Sequence, residues 1–240
     1  MITRKTVQIL SKKYQTLEMN IIREYFQHLF LAYLYKHKEA AKISFKGGTA
    51  LRIVYQSPRF SEDLDFSSDI KNVSRLEALI IATLSEMERE NAGSEIIEAK
   101  KTSGGYLSII DFSFENRKIS IRLEISFRKK TSTKGETVVI AGDFIPAFTI
   151  VQLSEKQLVA EKIQALLDRQ KPRDFFDLYF MLRANLIPAH EKHFLPKALD
   201  VLNKTKISFS KELKIFLPKS HWPIVHDFRK SLEREIRRFL

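Results

Sequence analysis

The chain has 240 residues, of which 44% are hydrophobic and 18 are Phe, so it has enough apolar side chains to bury a core and does not read as disordered. It contains no cysteine, which excludes disulfides, thiolate nucleophiles and cysteine-type zinc sites and is compatible with a reducing cytoplasm. The formal net charge of +12 predicts attraction to polyanions, with nucleic acid first among them.

The first 40 residues predict a core helix and give no sign of a membrane segment. The opening residues, MITRKTVQILSKKYQ, lack the apolar core of a signal peptide. The most apolar stretch, 26–35, contains His28 and is too short to cross a bilayer. Apolar residues at helical spacing predict helical structure over 5–38. We therefore expect a cytoplasmic protein with no membrane association.

Residues 45–67, FKGGTALRIVYQSPRFSEDLDFS, follow a short predicted strand at 43–46. Two of the seven glycines stand side by side here, and such a pair allows positive-φ backbone and close approach of a ligand. Thr49 is placed to cap a short helix reaching Tyr55, and the free N–H groups at a helix start bind phosphate. The candidate nucleotide-binding residues at this turn are therefore Lys46, Gly47, Gly48 and Thr49.

Asp63 and Asp65 stand at alternate positions before and within a predicted strand at 64–67, so we expect both carboxylates on one side of it. Two carboxylates so close repel each other and need a cation between them, and Mg²⁺ that also contacts substrate phosphates prefers such oxygen ligands. Alone, a GG pair is usually a turn and an acidic pair usually lies on a solvated loop. Their combination, set among Phe60, Leu64 and Phe66, predicts phosphoryl or nucleotidyl transfer.

A helix and three extended runs that alternate apolar and polar residues are expected next, at 74–91, 95–101, 106–114 and 118–128. A tight hairpin at Asn116-Arg117 joins the last two runs, and 131–142 is expected to be a polar loop or short ribbon. Residues 45–67 resemble a motif of polymerase-β-type enzymes, and this resemblance implies a third acid from a neighbouring strand, which holds metal or takes the proton of an attacking hydroxyl. The last run offers Glu124 for this role, with Arg122 on the same face. The alternatives are that Glu124 only faces water, or that Asp111 has this role.

After about residue 150 the pattern becomes helical, with helices expected at 154–169, 172–185, 190–203 and 222–239. Two charges interrupt apolar faces there, Lys162 in the first of these helices and Asp177 in the second. Charges on such faces are seldom buried without a partner. One interpretation is a structural Lys162–Asp177 ion pair, and the other places Lys162 on a triphosphate with Asp177 beside it. The two are not exclusive.

Asp174 lies in the first turn after Pro172, where the helix N-terminus favours an acid, so it either caps the helix or pairs with a nearby arginine. The second-rank candidates for the site are Asp174, Arg59, Arg128 and Arg173.

Three segments carry a resemblance to a known family. KGGTAL followed by RFSEDLDF resembles motif I of the DNA polymerase β nucleotidyltransferase superfamily and, in this fuller form, the AbiEii/AbiGii toxin family of type IV toxin–antitoxin systems. RLEISFR resembles the middle motif of that family, and LVAEKIQALLDRQKPRDFFDLYFML its EK and RDxxDL motifs. By position, the site residues of the family correspond to Ser61, Asp63, Lys162 and Asp177.

The resemblance implies an α+β fold, in which a polymerase-β-like domain with a small mixed sheet (1–150) packs on a helical domain (151–240) that completes the active-site cleft. It implies an enzyme that uses Mg²⁺ and NTP and transfers NMP to an acceptor, a tRNA 3′ end first, with an antitoxin protein as partner. The implied metal ligands are Asp63 and Asp65. Glu124 replaces the usual Asp of the superfamily, so the general base stays open between Glu124 and Asp177. The alternative functions are an inactive fold that binds RNA or protein, and an NMP transferase acting on protein hydroxyls.

Overall fold

The computed structural model describes residues 1–127 and 135–240 of the chain. The predicted site residue Arg128 lies outside these described residues. By their internal contacts, the described residues form two compact units. Unit 1 comprises 1–56 and 60–154, and unit 2 comprises 57–59 and 155–240. In the part of the chain that the structure describes, we find no helix that combines the length and the apolar character needed to span a bilayer.

Unit 1 is built on a mixed sheet, which has seven strands within the described residues. They are β1 (Ile43–Lys46), β2 (Leu64–Ser68), β3 (Ser94–Thr102), β4 (Gly105–Phe114), β5 (Arg117–Phe127), β6 (Glu136–Ile140) and β7 (Phe148–Gln152). Their order is β3-β4-β5-β2-β1-β7-β6. The mixed sheet was predicted, and β6 fits the short-ribbon alternative given for 131–142. β7, which lies at the expected domain boundary, was not predicted.

The helices of unit 1 are α1 (Arg4–Lys13), α2 (Glu18–Leu34), α3 (Gly47–Ile53) and α4 (Val73–Arg89). The predicted helical structure over 5–38 is present as two helices, α1 and α2, and the break between them follows Lys13, where Gln15 has a φ of 51°. A left-handed residue ends a helix. The turn between β4 and β5 is Glu115-Asn116 rather than Asn116-Arg117, since Phe114 pairs with Arg117.

The two faces of the sheet have different environments. Along β5, Leu123 and Ile125 are buried, whereas Arg122 and Glu124 between them are exposed. Because side chains alternate across a strand, the apolar residues all lie on one face and the polar ones on the other. Phe26 of α2 stacks on Phe112 of β4 with ring centroids 4.9 Å apart, so α2 packs on the apolar face. The polar face is left for a site.

Unit 2 is helical. Its helices are α5 (Glu155–Arg169), α6 (Pro172–Arg183), α7 (Leu195–Lys204), α8 (Phe209–Phe216), α9 (Trp222–His226) and α10 (Phe228–Arg237). α6 begins at Pro172 as predicted, since proline is favoured at the first helical position. α8 was not predicted, and the expected helix over 222–239 is interrupted at Asp227. Phe228 packs against Phe176 and Phe209, with ring centroids 5.8 and 4.9 Å away, and these rings are part of the core of the unit.

Candidate active site

Three charged residues form a row across the polar face of the sheet. Lys46 of β1 is the register partner of Asp65 of β2, and Asp65 is the register partner of Glu124 of β5. Neighbouring strands lie about 4.8 Å apart, so these three side chains project from adjacent positions on one face. The strand order therefore places a lysine, an aspartate and a glutamate side by side.

This row lines a pocket of about 380 Å³. Its other walls come from the β3–β4 turn and from β5, and they include Gly104, Gly105 and Arg122. Arg122 Nη1 lies 3.5 Å from Glu124 Oε1, and both side chains are about half exposed. Glu124 therefore faces a solvent-accessible pocket. The alternative third acid, Asp111, instead accepts a hydrogen bond from the Ser120 hydroxyl and is not among the residues that line the pocket.

Gly47 sets the position of the Asp65 carboxylate. It has a φ of +84°, which L side chains rarely adopt. A Cβ added at Gly47 would stand 2.0 Å from Asp65 Oδ2. The glycine turn therefore leaves the space that the carboxylate occupies, while the next residue, Gly48, is buried.

The structure places Asp63 and Asp65 differently. β2 begins at Leu64, so Asp65 belongs to the strand and Asp63 lies one residue before it, in the loop that also carries Ser61. Asp65 lines the pocket and Asp63 is not among its lining residues. Among residues 1–127 and 135–240, no three or more His, Asp or Glu side chains stand close enough together to form a ready-made metal cluster.

Thr49 does not cap α3 as expected. It is the third residue of α3, whose N-cap is Lys46, and it is 0% exposed. Its hydroxyl donates a hydrogen bond to the Asp63 carbonyl oxygen. A fully buried hydroxyl with this bond holds the loop in place rather than facing a nucleotide.

Unit 2 contains a buried cluster of three charges. Arg59 donates to both carboxylate oxygens of Asp177, from Nε at 2.9 Å and Nη2 at 3.1 Å. Lys162 Nζ donates to Asp177 Oδ2 at 2.8 Å. Burial by itself would raise the pKa of Asp177, but the positive charges and hydrogen bonds of Arg59 and Lys162 outweigh it and lower the pKa. The predicted Lys162–Asp177 ion pair is present, and Arg59 joins it.

The second-rank acid, Asp174, has a structural environment. Its carboxylate accepts a bond from Arg169 Nη2 at 2.6 Å and another from the Lys171 backbone N–H at 3.1 Å. It therefore both caps α6 and pairs with an arginine. Arg173 lies 3.7 Å from Glu212, within the same unit.

Reasoning from the sequence missed Gln27 and ranked Arg59 too low. Gln27 of α2 donates to the carbonyl oxygens of Ser61 and Glu62, and Arg59 donates to both oxygens of Asp177 at the centre of the charge cluster. A signal for Gln27 existed, because a polar residue at a core position of a helix needs an internal partner. Nothing in the local pattern indicates that Arg59 pairs with Asp177, 118 residues away.

The fold is shared with solved structures from Helicobacter pylori. The protein JHP933 superposes with a TM-score of 0.68 at 20% identity, covering 93% of this chain and 93% of that one. A second protein, described as a candidate nucleotidyltransferase, gives 0.65 at 19% identity, covering 93% of this chain and 95% of the other. No curated protein matches the sequence significantly. At these identities the likeness shows that the chain shares their fold.

The family is also shown by the sequence. The family model described as nucleotidyl transferase AbiEii toxin, type IV toxin–antitoxin system, matches residues 29–237. The chain therefore belongs to this family and is a nucleotidyltransferase. The resemblance drawn from the three motifs is confirmed, and all three lie within the matched range.

Proposed function

We propose that this nucleotidyltransferase uses Mg²⁺ and transfers a nucleoside monophosphate from an NTP to the 3′ hydroxyl of a tRNA. The observation that carries the proposal is the row of Lys46, Asp65 and Glu124 on the polar face of the sheet. It puts a lysine and two acids at neighbouring positions, and this combination suits the binding of phosphates and a divalent cation. The excess of basic residues, with a net charge of +12, favours a nucleic acid as acceptor.

The residues present fit a divalent cation. Asp65 and Glu124 supply hard oxygen donors from adjacent strands, and both line the same pocket. Asp63 adds a carboxylate two residues from Asp65. We propose that Asp63 and Asp65 hold Mg²⁺, which when bound would neutralise the triphosphate and activate it for attack.

The proposed reaction is an in-line displacement at the α-phosphorus. The acceptor hydroxyl oxygen forms a bond to this phosphorus, the bond to the β-phosphate oxygen breaks, and pyrophosphate leaves. Lys46, with the backbone of Gly47 and Gly48 and the Ser61 hydroxyl, binds the phosphates. Lys162 neutralises the charge that develops on pyrophosphate.

Glu124 is the better of the two candidates for the base that takes the hydroxyl proton. Its side chain is 51% exposed in the pocket that Asp65 also lines. Asp177 has both oxygens bound by Arg59 and Lys162, and its pKa is lowered, so it is a poor acceptor for a proton. We therefore assign the proton transfer to Glu124 and the positioning of Lys162 to Asp177.

The acceptor assay tests this function. The protein is incubated with each α-labelled NTP and Mg²⁺, with intact tRNA, with tRNA whose 3′ end has been oxidised by periodate, or with total protein. We expect label on intact tRNA alone, and none once Mg²⁺ is chelated. Label on protein would overturn the acceptor in favour of protein hydroxyls, and no label with any NTP would favour a binding module. We propose that a cognate antitoxin opposes this activity in the cell, in line with the family.

A further inference from the structure

The loop that carries Ser61 and Asp63 is fixed through its backbone by two buried side chains. The Gln27 amide donates to the Ser61 carbonyl at 3.0 Å and to the Glu62 carbonyl at 3.1 Å. The Thr49 hydroxyl donates to the Asp63 carbonyl. Three consecutive carbonyl groups therefore have partners from α2 and α3. Because peptide groups are planar, fixing these carbonyls also restricts the directions in which the loop side chains project.

Both side chains occupy positions where an apolar residue would be expected. Gln27 is 1% exposed and Thr49 is 0% exposed. A buried polar group is unfavourable unless it is hydrogen-bonded, and its net contribution to stability is then only about 1 kcal/mol. A gain in stability therefore does not by itself explain why Gln27 and Thr49 stand at these buried positions. The loop that they hold is the one in which the proposed Mg²⁺ ligand Asp63 lies.

Further side chains of α2 and α3 contact the same loop. The Arg52 guanidinium lies 4.0 Å from the centre of the Phe60 ring, at the start of the loop. Arg52 is itself held by Glu24, with Nε–Oε1 at 3.0 Å and Nη2–Oε2 at 3.2 Å. Arg23 Nη2 lies 3.3 Å from Glu62 Oε1. Side chains from α2 and α3 therefore contact every loop residue from 60 to 63.

We propose that Gln27 and Thr49 are positioning residues, which set the Ser61–Asp63 loop so that Asp63 is preorganised for the metal–nucleotide complex. This inference rests on the proposed function. Groups that orient a metal ligand typically contribute about 10–100-fold to metal affinity, so the loss of one such bond is measurable without catalysis.

Three threonine variants separate positioning from plain stability. Thr49→Val has the same shape and lacks the hydroxyl, whereas Thr49→Ser keeps it. Thr83→Val is the matched control, since Thr83 is also 0% exposed and its hydroxyl donates to Leu79 of its own helix at 2.8 Å. Gln27→Met, which keeps the length of the side chain and removes both donors, decides the question if Thr49→Val does not fold.

The readouts are Mn²⁺ binding to the nucleotide-free protein by electron paramagnetic resonance, the Mg²⁺ concentration for half-maximal transfer, and the urea midpoint. We expect Thr49→Val and Gln27→Met to weaken Mn²⁺ binding and to raise the Mg²⁺ requirement by about tenfold or more. Thr49→Ser should stay within about twofold of the unmodified chain, and Thr83→Val should lower only the urea midpoint.

Two negative results have different meanings. If the unmodified chain binds Mn²⁺ and transfers nucleotides while Thr49→Val or Gln27→Met binds Mn²⁺ as Thr83→Val does, the positioning role is overturned and the proposed function stands. If the unmodified chain neither binds Mn²⁺ nor transfers nucleotides, the proposed function fails and the positioning role fails with it.

Discussion

The Asp65 carboxylate occupies the space that a side chain would fill at Gly47. An added Cβ would stand 2.0 Å from Asp65 Oδ2 and 2.7 Å from Asp65 Cβ. Contacts this short force a displacement. The glycine turn is thus part of the site itself, because it decides where the proposed metal ligand points.

Gly47→Ala should abolish nucleotidyl transfer while the chain still folds. The substitution displaces the Asp65 carboxylate, and the positive φ adds a backbone cost of about 1–2 kcal/mol. Gly142→Ala is the control, since a Cβ there meets nothing within 4 Å. We expect at least about a 100-fold loss in kcat/KM for Gly47→Ala and none for Gly142→Ala. Equal activity of the two variants would remove Gly47 from the site.

Lys162→Met should reduce transfer far more than stability. Asp177 keeps both hydrogen bonds from Arg59 when the lysine is removed, so the buried carboxylate stays neutralised. A phosphate-binding lysine contributes about 10²–10³ in kcat. Lys156→Met, on the same helix, removes a 74% exposed lysine and should leave kcat unchanged. If both variants keep full activity, the ion pair of Lys162 is purely structural.

Asp177→Asn should destabilise unit 2 strongly. It removes the charge that Arg59 and Lys162 share, and the loss of one partner of a buried pair costs about 3–5 kcal/mol. The only tryptophan of the chain, Trp222, lies in unit 2, so its fluorescence during urea unfolding reports on this unit. If Asp177→Asn lowers the free energy of unfolding by less than about 1 kcal/mol, the buried charge cluster does not stabilise the unit as we expect.

The lowered pKa of Asp177 predicts that the stability of the folded chain decreases at acid pH. The pKa of Asp177 is lowered from 3.8 in the folded chain, so the unfolded chain takes up the proton more readily. Its contribution is therefore complete above the unfolded pKa of 3.8 and is lost as the pH falls through the lower folded pKa. Urea unfolding followed by Trp222 should become easier below about pH 4, and Asp177→Asn should flatten this part of the profile. If the stability of both chains falls equally below about pH 4, the lowered pKa of Asp177 is not the cause of this pH dependence.

His28 predicts a second pH dependence, in unit 1. Burial, with the nearby charge of Arg52, lowers the pKa of His28 from 6.5 to about 4. The unfolded chain thus binds the proton first, and stability falls as the pH drops from 6.5 towards 4. His28→Phe keeps a ring against Phe144. It should lower the number of protons taken up on unfolding by up to about one, and so reduce the pH dependence of the free energy of unfolding, which circular dichroism measures. His226→Phe, at an 81% exposed side chain, should not change it.

Features fixed by local chemistry were predictable from the sequence. The strand before the glycine pair and the start of α6 at Pro172 follow from the conformational limits of glycine and proline. The Lys162–Asp177 pair follows from two charges on apolar helix faces. The acidic pair was also recognisable, although only Asp65 lies in the strand.

Features fixed by distant pairing were only partly predictable. Glu124 was named as a candidate third acid, but its place beside Asp65 depends on the parallel pairing of β2 and β5 across nearly 60 residues, and strand alternation does not encode a partner. β7 was overlooked because five residues at a boundary give too short a pattern. The places of Gln27 and Arg59 depend on loops that fold back onto helices, so only the structure reveals them.

The most direct test of the central claim compares two aspartates four residues apart. Asp65→Asn removes the charge at the centre of the row, whereas Asp69→Asn changes an exposed residue just after β2. With α-labelled NTP, Mg²⁺ and tRNA, we predict at least about a 10³-fold loss of transfer for Asp65→Asn and none for Asp69→Asn, with equal urea midpoints. Transfer by Asp65→Asn at the rate of Asp69→Asn would contradict the site proposed on this face of the sheet.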